Sequence, residues 1–178
     1  MSRLRRPQLP ISAIAVLVLA GLALPSVASS LTVPPVTHPV TGLKQIPKLA
    51  KAEYLKNVSE RKSDNVPRYH RGKGKVAPYS IGDAWCAAFS TWIWNKAGFD
   101  DYQGTDLLWD SHDGTEVAVQ VKDLTRWAQR NGYFSYRAKP GFLVAYGRSH
   151  IGIVLRADRD GRAVMSIEGN QSDQVSKV

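Results

Sequence analysis

Cysteine is nearly absent from this chain: Cys86 is the only one in 178 residues. A single thiol cannot close an internal disulfide, and it cannot supply a Cys-rich metal site. Histidine is scarce too, and His38, His70, His112 and His150 are far apart, with no zinc-ligand spacing. The loop ahead of Cys86 lacks the alternating carboxylates that calcium requires. No metal and no other cofactor is therefore expected. Acidic residues are the minority charge, 15 against 24 basic ones, for a formal net charge of +9. Such a balance draws a protein toward anionic partners. No helix-turn-helix, zinc finger or RNA-binding aromatic pair accompanies it, so nucleic acid is not an expected partner. Internal repeats are absent as well.

Only one long apolar run is present, and it lies at the front. Arg3, Arg5 and Arg6 precede an almost wholly apolar stretch over residues 9–24, and Pro25 with Ser26-Val27-Ala28 follows. This is the three-part pattern of a secretory signal, with cleavage expected after Ala28. The stretch is 16 residues long, short of the roughly 20 that span a bilayer, which argues against a retained anchor. No cysteine follows it for lipid attachment, and Pro7-Gln8 behind Arg5-Arg6 is a poor context for twin-arginine export. The expected localisation is secreted, extracellular or cell-wall associated, with no stable membrane span once residues 1–28 are removed. That removal takes away three arginines and no acid, lowering the charge to +6. The remaining length suits one monomeric domain with one core.

Residues 29–47 are rich in Pro, Thr and Val and read as an extended linker. A folded domain is expected over 48–178. A short helix fits 49–58, with Leu49, Ala52 and Leu55 on one side. Residues 59–78 are polar, basic and punctuated by Pro and Gly, the mark of a long surface loop. The next helix has the strongest pattern: Asp83 as N-cap, Trp85, Phe89, Trp92 and Ile93 at helical spacing, and Gly98 as a C-terminal stop. Another helix fits 119–130, with Val121, Leu124, Trp127 and Ala128 on one face and Asn131-Gly132 ending it. Residues 100–116 show no clear period.

After Tyr136 the period changes to two. Strands are expected over 142–146, 150–156 and 162–168, separated by turns at Pro140-Gly141 and Gly161, and residues 173–178 supply part of a further strand. Helices followed by an antiparallel meander define an α+β fold. A three-residue loop at 159–161 would make the sums of paired residue numbers even. His150 then lies opposite Glu168 or Asn170, on one face of the sheet. A carboxylate beside an imidazole fixes its tautomer and leaves the other nitrogen to take a proton from a nucleophile.

Cys86 is the residue that could be that nucleophile. At a helix N-terminus the free first-turn amides and the dipole favour thiolate over thiol, and the same amides can hold an oxyanion. The bland alternative is a buried filler, because free cysteine is among the most buried residue types. An intermolecular disulfide is the third. The residues alone leave these open.

Four blocks carry a resemblance. Asp83-Ala84-Trp85-Cys86-Ala87-Ala88-Phe89, Pro140-Gly141-Phe142-Leu143-Val144, Ser149-His150-Ile151-Gly152-Ile153-Val154 and Ile167-Glu168-Gly169-Asn170 resemble, in order, the motifs of the CHAP family. These are cysteine- and histidine-dependent amidohydrolases/peptidases of bacterial peptidoglycan, related to the NlpC/P60 group. The resemblance implies a papain-like α+β fold, with N-terminal helices packed on a small antiparallel sheet. It implies Cys86 as nucleophile, His150 as base and then acid, Glu168 as the residue orienting His150, and Asn170 assisting. Trp85 and Tyr79 are candidate substrate-binding residues in the cleft wall. Phe142 replaces the family's usual Asp, and Ser149 replaces its usual Asp or Asn. CHAP domains generally continue for another strand or two beyond this point, so a domain shortened at its C-terminus is expected. The implied activity is cleavage of a peptidoglycan amide, as an N-acetylmuramoyl-L-alanine amidase or an endopeptidase. The rivals are a non-catalytic wall-binding module of the same fold and a secreted toxin or effector acting on another amide.

Overall fold

The structure, a computed structural model, describes residues 16–18, 40–99 and 108–178. The expected export signal therefore lies outside the described residues except at 16–18, and so does the linker over 29–39. The architecture is mixed α+β. Helices α1 (Val40–Tyr54), α2 (Cys86–Lys96) and α3 (Val121–Arg130) accompany a five-stranded sheet and two small hairpins. The sheet has the order β1-β6-β7-β8-β9, built from β1 (Val16–Val18), β6 (Leu143–Tyr146), β7 (His150–Ala157), β8 (Val164–Glu168) and β9 (Ser176–Lys177). Strands β6 to β9 are antiparallel, and β1 lies parallel to β6 at the edge. The hairpins are β2 (Val58–Ser59) with β3 (Arg68–Tyr69), and β4 (Leu108–Asp110) with β5 (Glu116–Ala118). No helix among the described residues is long and apolar enough to cross a membrane.

Helix α2 is the centre of the core. Its residues Cys86 to Trp94 are all buried, the signature of a helix apolar on every side. It packs on β7 and β8 on one side and on the β4–β5 hairpin on another. Burying side chains such as Phe89, Ile93 and Trp94 stabilises the fold by about 1.5–3 kcal/mol each. The one buried hydroxyl facing the hairpin is matched: Thr91 Oγ1 donates to the Ala87 carbonyl at 2.8 Å and accepts the Ala118 amide at 3.0 Å. The helix stops at Gly98 (φ 82°), where the Gly98 amide reaches Asn95 O at 2.9 Å and the Phe99 amide reaches Trp94 O at 3.0 Å. That paired closure is the Schellman motif, and only glycine adopts its positive φ without strain.

Three expectations are corrected. Residues 40–47 are helical, not linker, because α1 runs through Pro47 and buries Ile46, Ala50 and Glu53 at i, i+4, i+7. Pro47 cannot donate to the Leu43 carbonyl. That oxygen instead faces Gly141, where an added Cβ would stand 2.7 Å from it. Asp83 does not cap α2. The N-cap is Trp85, no side chain caps it, and Asp83 Oδ1 accepts the Ala84 amide at 2.7 Å. The featureless stretch before Glu116 holds β4, whose three residues are too few to display a period.

The last hairpin reaches the expected register by an unexpected route. Gly152 pairs with Glu168 and Val154 with Ser166, but Arg156 pairs with Met165 and Ala157 with Val164. The turn is one residue longer than expected, as the Asp158 amide bonds to Ala163 O at 2.9 Å. A bulge between Val154 and Arg156 then restores the even register before the strand reaches His150.

Candidate active site

The N-terminus of α2 meets the neighbouring ends of β7 and β8. Cys86 is the first residue of the helix and 5% exposed. His150 opens β7, half-buried, and Glu168 closes β8, buried. His150 Nε2 and Glu168 Oε2 are 2.8 Å apart. The Cys86 side chain is near enough to the imidazole to raise its pKa, and Cys86 Sγ reaches the Ser149 carbonyl at 3.8 Å. The ring is thus bonded to the carboxylate and electrostatically coupled to the thiol. The contact with Cys86, followed by that with Glu168, raises the His150 pKa to about 9, against the opposing effect of burial. A ring so held is cationic at neutral pH.

Glu168 is itself held on both oxygens. Ser166 Oγ donates to Oε1 at 2.5 Å, and the Tyr146 hydroxyl lies 3.0 Å from Ser166 Oγ. Serine has one proton, and it goes to the carboxylate, so Tyr146 is the donor in the second bond. Burial pushes the Glu168 carboxyl up, but the hydrogen bonds from His150 and Ser166, with the Tyr146 hydroxyl nearby, outweigh it and keep the group below its ordinary value. Tyr146 also stacks on the His150 ring, with centroids 5.9 Å apart and an interplanar angle of 26°.

Two glycines set the spacing. Gly152 faces Glu168, and a Cβ there would lie 2.5 Å from Glu168 Cγ. A side chain at 152 would displace the carboxylate from His150. Gly169 lies against α2, and its Cβ would lie 2.6 Å from Phe89 Cβ. The missing atom lets the helix approach the end of β8 closely, which brings Cys86 toward His150. Sequence reasoning missed Ser166, Tyr146 and the work of both glycines. The alternation of β8 was the available signal for Ser166, since residues two apart share a face.

Asn170 follows in a left-handed turn (φ 57°) and is not the partner of His150 in this arrangement. Trp85 and Tyr79 do not line a cleft. Both are 0% exposed, and their rings stack at 5.6 Å while Tyr79 also meets Phe89 and Trp92 edge-on. The Trp85 indole N–H donates to the buried Glu60 carboxylate. Their aromatic bulk is spent beneath the helix, so neither is available to substrate. Among the described residues no cluster of three or more His, Cys, Asp or Glu side chains is arranged to hold a metal ion.

No protein-family model matches the chain, and no curated protein or solved structure matches it either.

Proposed function

We propose that this chain is an exported cysteine amidohydrolase of the CHAP type, papain-like in fold, that cleaves an amide bond of bacterial peptidoglycan. The observation that carries the reading is the His150 imidazole, bonded to Glu168 and coupled to Cys86 at the uncapped N-terminus of α2, where Cys86 Sγ reaches the carbonyl of the residue before His150. In this reading the Cys86 thiolate attacks the amide carbonyl, and first-turn amides of α2 receive the oxyanion. The tetrahedral adduct collapses to a thioester as the His150 imidazolium protonates the leaving amine. His150, now neutral, takes a proton from water, and the hydroxide attacks the thioester, releasing the acid and restoring the thiolate beside the imidazolium. Glu168 keeps Nε2 engaged throughout, so that the reacting proton moves at Nδ1. The positive charge of the chain would concentrate the protein on an anionic wall at low salt.

The test is release of new amino groups from purified peptidoglycan, with mass spectrometry of the fragments to identify the bond. Replacing Cys86 with Ala is expected to lower turnover by at least about 10³-fold. Undiminished release by that variant overturns the reading.

A further inference from the structure

The basic stretch after β2 takes no part in the site described above, yet it is folded. Hairpin β2–β3 and the turn that follows surround a cavity of about 290 Å³ lined by Ser59, Arg61, Arg68, His70 and Lys73. Each of these side chains can donate hydrogen bonds, and they come from separate points along the segment. Ser59 Oγ and His70 Nε2 are 2.6 Å apart. Arg68 is fixed by Asp64, at 2.7 and 3.0 Å, and by the Val66 carbonyl at 2.8 Å. Arg61 and Lys73 are exposed, and neither has a carboxylate partner among the described residues. The Arg61 guanidinium lies over Gly74, where a Cβ would stand 2.8 Å from Nη2. Lys73 and Gly74 both have positive φ, 52° and 79°, and this tight turn carries the lysine back over the cavity.

The backbone beneath is fixed. The Tyr69 amide bonds to Lys75 O at 2.9 Å and the Val175 amide to Val58 O at 3.0 Å. Glu60 ties the segment to Trp85 and to the Asn65 amide. With Arg68 already paired to Asp64, Arg61 and Lys73 are the uncompensated charges of the lining, and like charges held on one rigid frame repel one another unless an anion lies between them. A planar carboxylate offers two oxygens, whereas a phosphate offers a tetrahedral set of strong acceptors that donors converging from several directions can share.

We propose that this cavity is a binding site for a phosphate group, carried as a monoester or a diester. The site is independent of the chemistry at Cys86. It is tested by amide NMR of the purified chain, titrated with inorganic phosphate and with dimethyl phosphate at constant ionic strength, with acetate as control. The expected result is a saturable shift of the Ser59, His70, Lys73 and Gly74 signals by phosphate. Saturation with dimethyl phosphate as well assigns a diester, and saturation with inorganic phosphate alone assigns a monoester. Arg61→Gln and Lys73→Gln should each weaken binding about tenfold, the value of one charge-assisted hydrogen bond. Arg71→Gln, in the same segment but outside the lining, should leave it within about twofold, and Cys86→Ala should do the same. Shifts that fail to saturate, an equal response to acetate, or equal weakening by Arg71→Gln would overturn the proposal in favour of diffuse charge.

Discussion

Glu168 and Glu60 are both buried carboxylates held by short hydrogen bonds, yet their partners differ in kind. Glu60 accepts from the Trp85 indole and the Asn65 amide, groups that never change protonation in the working range. Glu53 nearby is similar, taking the Tyr69 hydroxyl at 2.6 Å and the Lys56 ammonium at 2.6 Å. Glu168 also has a neutral donor behind it, Ser166, itself backed by Tyr146, but in front it holds His150, a titrating group whose pKa also responds to the thiol. A buried carboxylate surrounded by static donors is a fastener. One with a titratable partner on its open side is a means of fixing where a proton sits.

That contrast can be broken by substitution. The largest effect after loss of the thiol is expected from Gly152→Ala, because the new methyl must push Glu168 aside. Overpacking of this kind costs about 1–3 kcal/mol, and a misplacement near 1 Å at a reacting group costs on the order of 10²-fold in rate. Turnover per folded molecule is the measurement, and an unchanged rate would show that Glu168 need not stand where it does. Glu60→Ala should behave in the opposite way. Leaving the Trp85 and Asn65 donors unpaired is expected to cost about 1–3 kcal/mol in denaturant unfolding, with turnover per folded molecule retained. If instead stability holds and the rate collapses, Glu60 is no mere fastener.

Smaller effects probe the titration itself. Ser166→Ala removes a donor to the charged carboxylate. Turnover should fall by about tenfold at most, and the acid limb of the kcat/KM profile should move to higher pH. Ser166→Thr should restore both, and an acid limb that stays in place sinks the assigned role. The smallest effect is on stability. His150 is raised to about 9 from its ordinary 6.5, so the folded chain holds that proton more tightly than the unfolded one. Its contribution is complete below about pH 6.5 and is lost as pH rises through about 9. The Tm of the native chain should drop over that window more steeply than that of His150→Asn. Parallel curves would mean that the ring has no titrating partner.

Much of the scaffold was legible because it rests on period and punctuation. The face of α3, with Val121, Leu124 and Ala128 buried, follows from spacing alone, as does the stop at Gly132. The meeting of His150 with Glu168 follows from strand parity. What escaped was set by tertiary contact. Pro47 looked like a breaker, yet α1 runs through it, and the Leu43 carbonyl it cannot bond stands against Gly141, which has no Cβ to collide with that oxygen. Trp85 adjoins the thiol in sequence but is fully buried, stacked on Tyr79 and bonded to Glu60, contacts that only the tertiary structure sets. Gly152 carries no unusual φ; its role is one of space and becomes visible only once Glu168 is in view.

The bulge between Val154 and Arg156 has a further consequence for how this hairpin can vary. It separates the outer turn from the inner pairs, so parity at Glu168 is decided below the turn and not by the number of residues in it. Loops of other lengths could be grafted at 158–163 with the inner strands as a fixed socket, and the chain could acquire new recognition at that tip without retuning its chemistry.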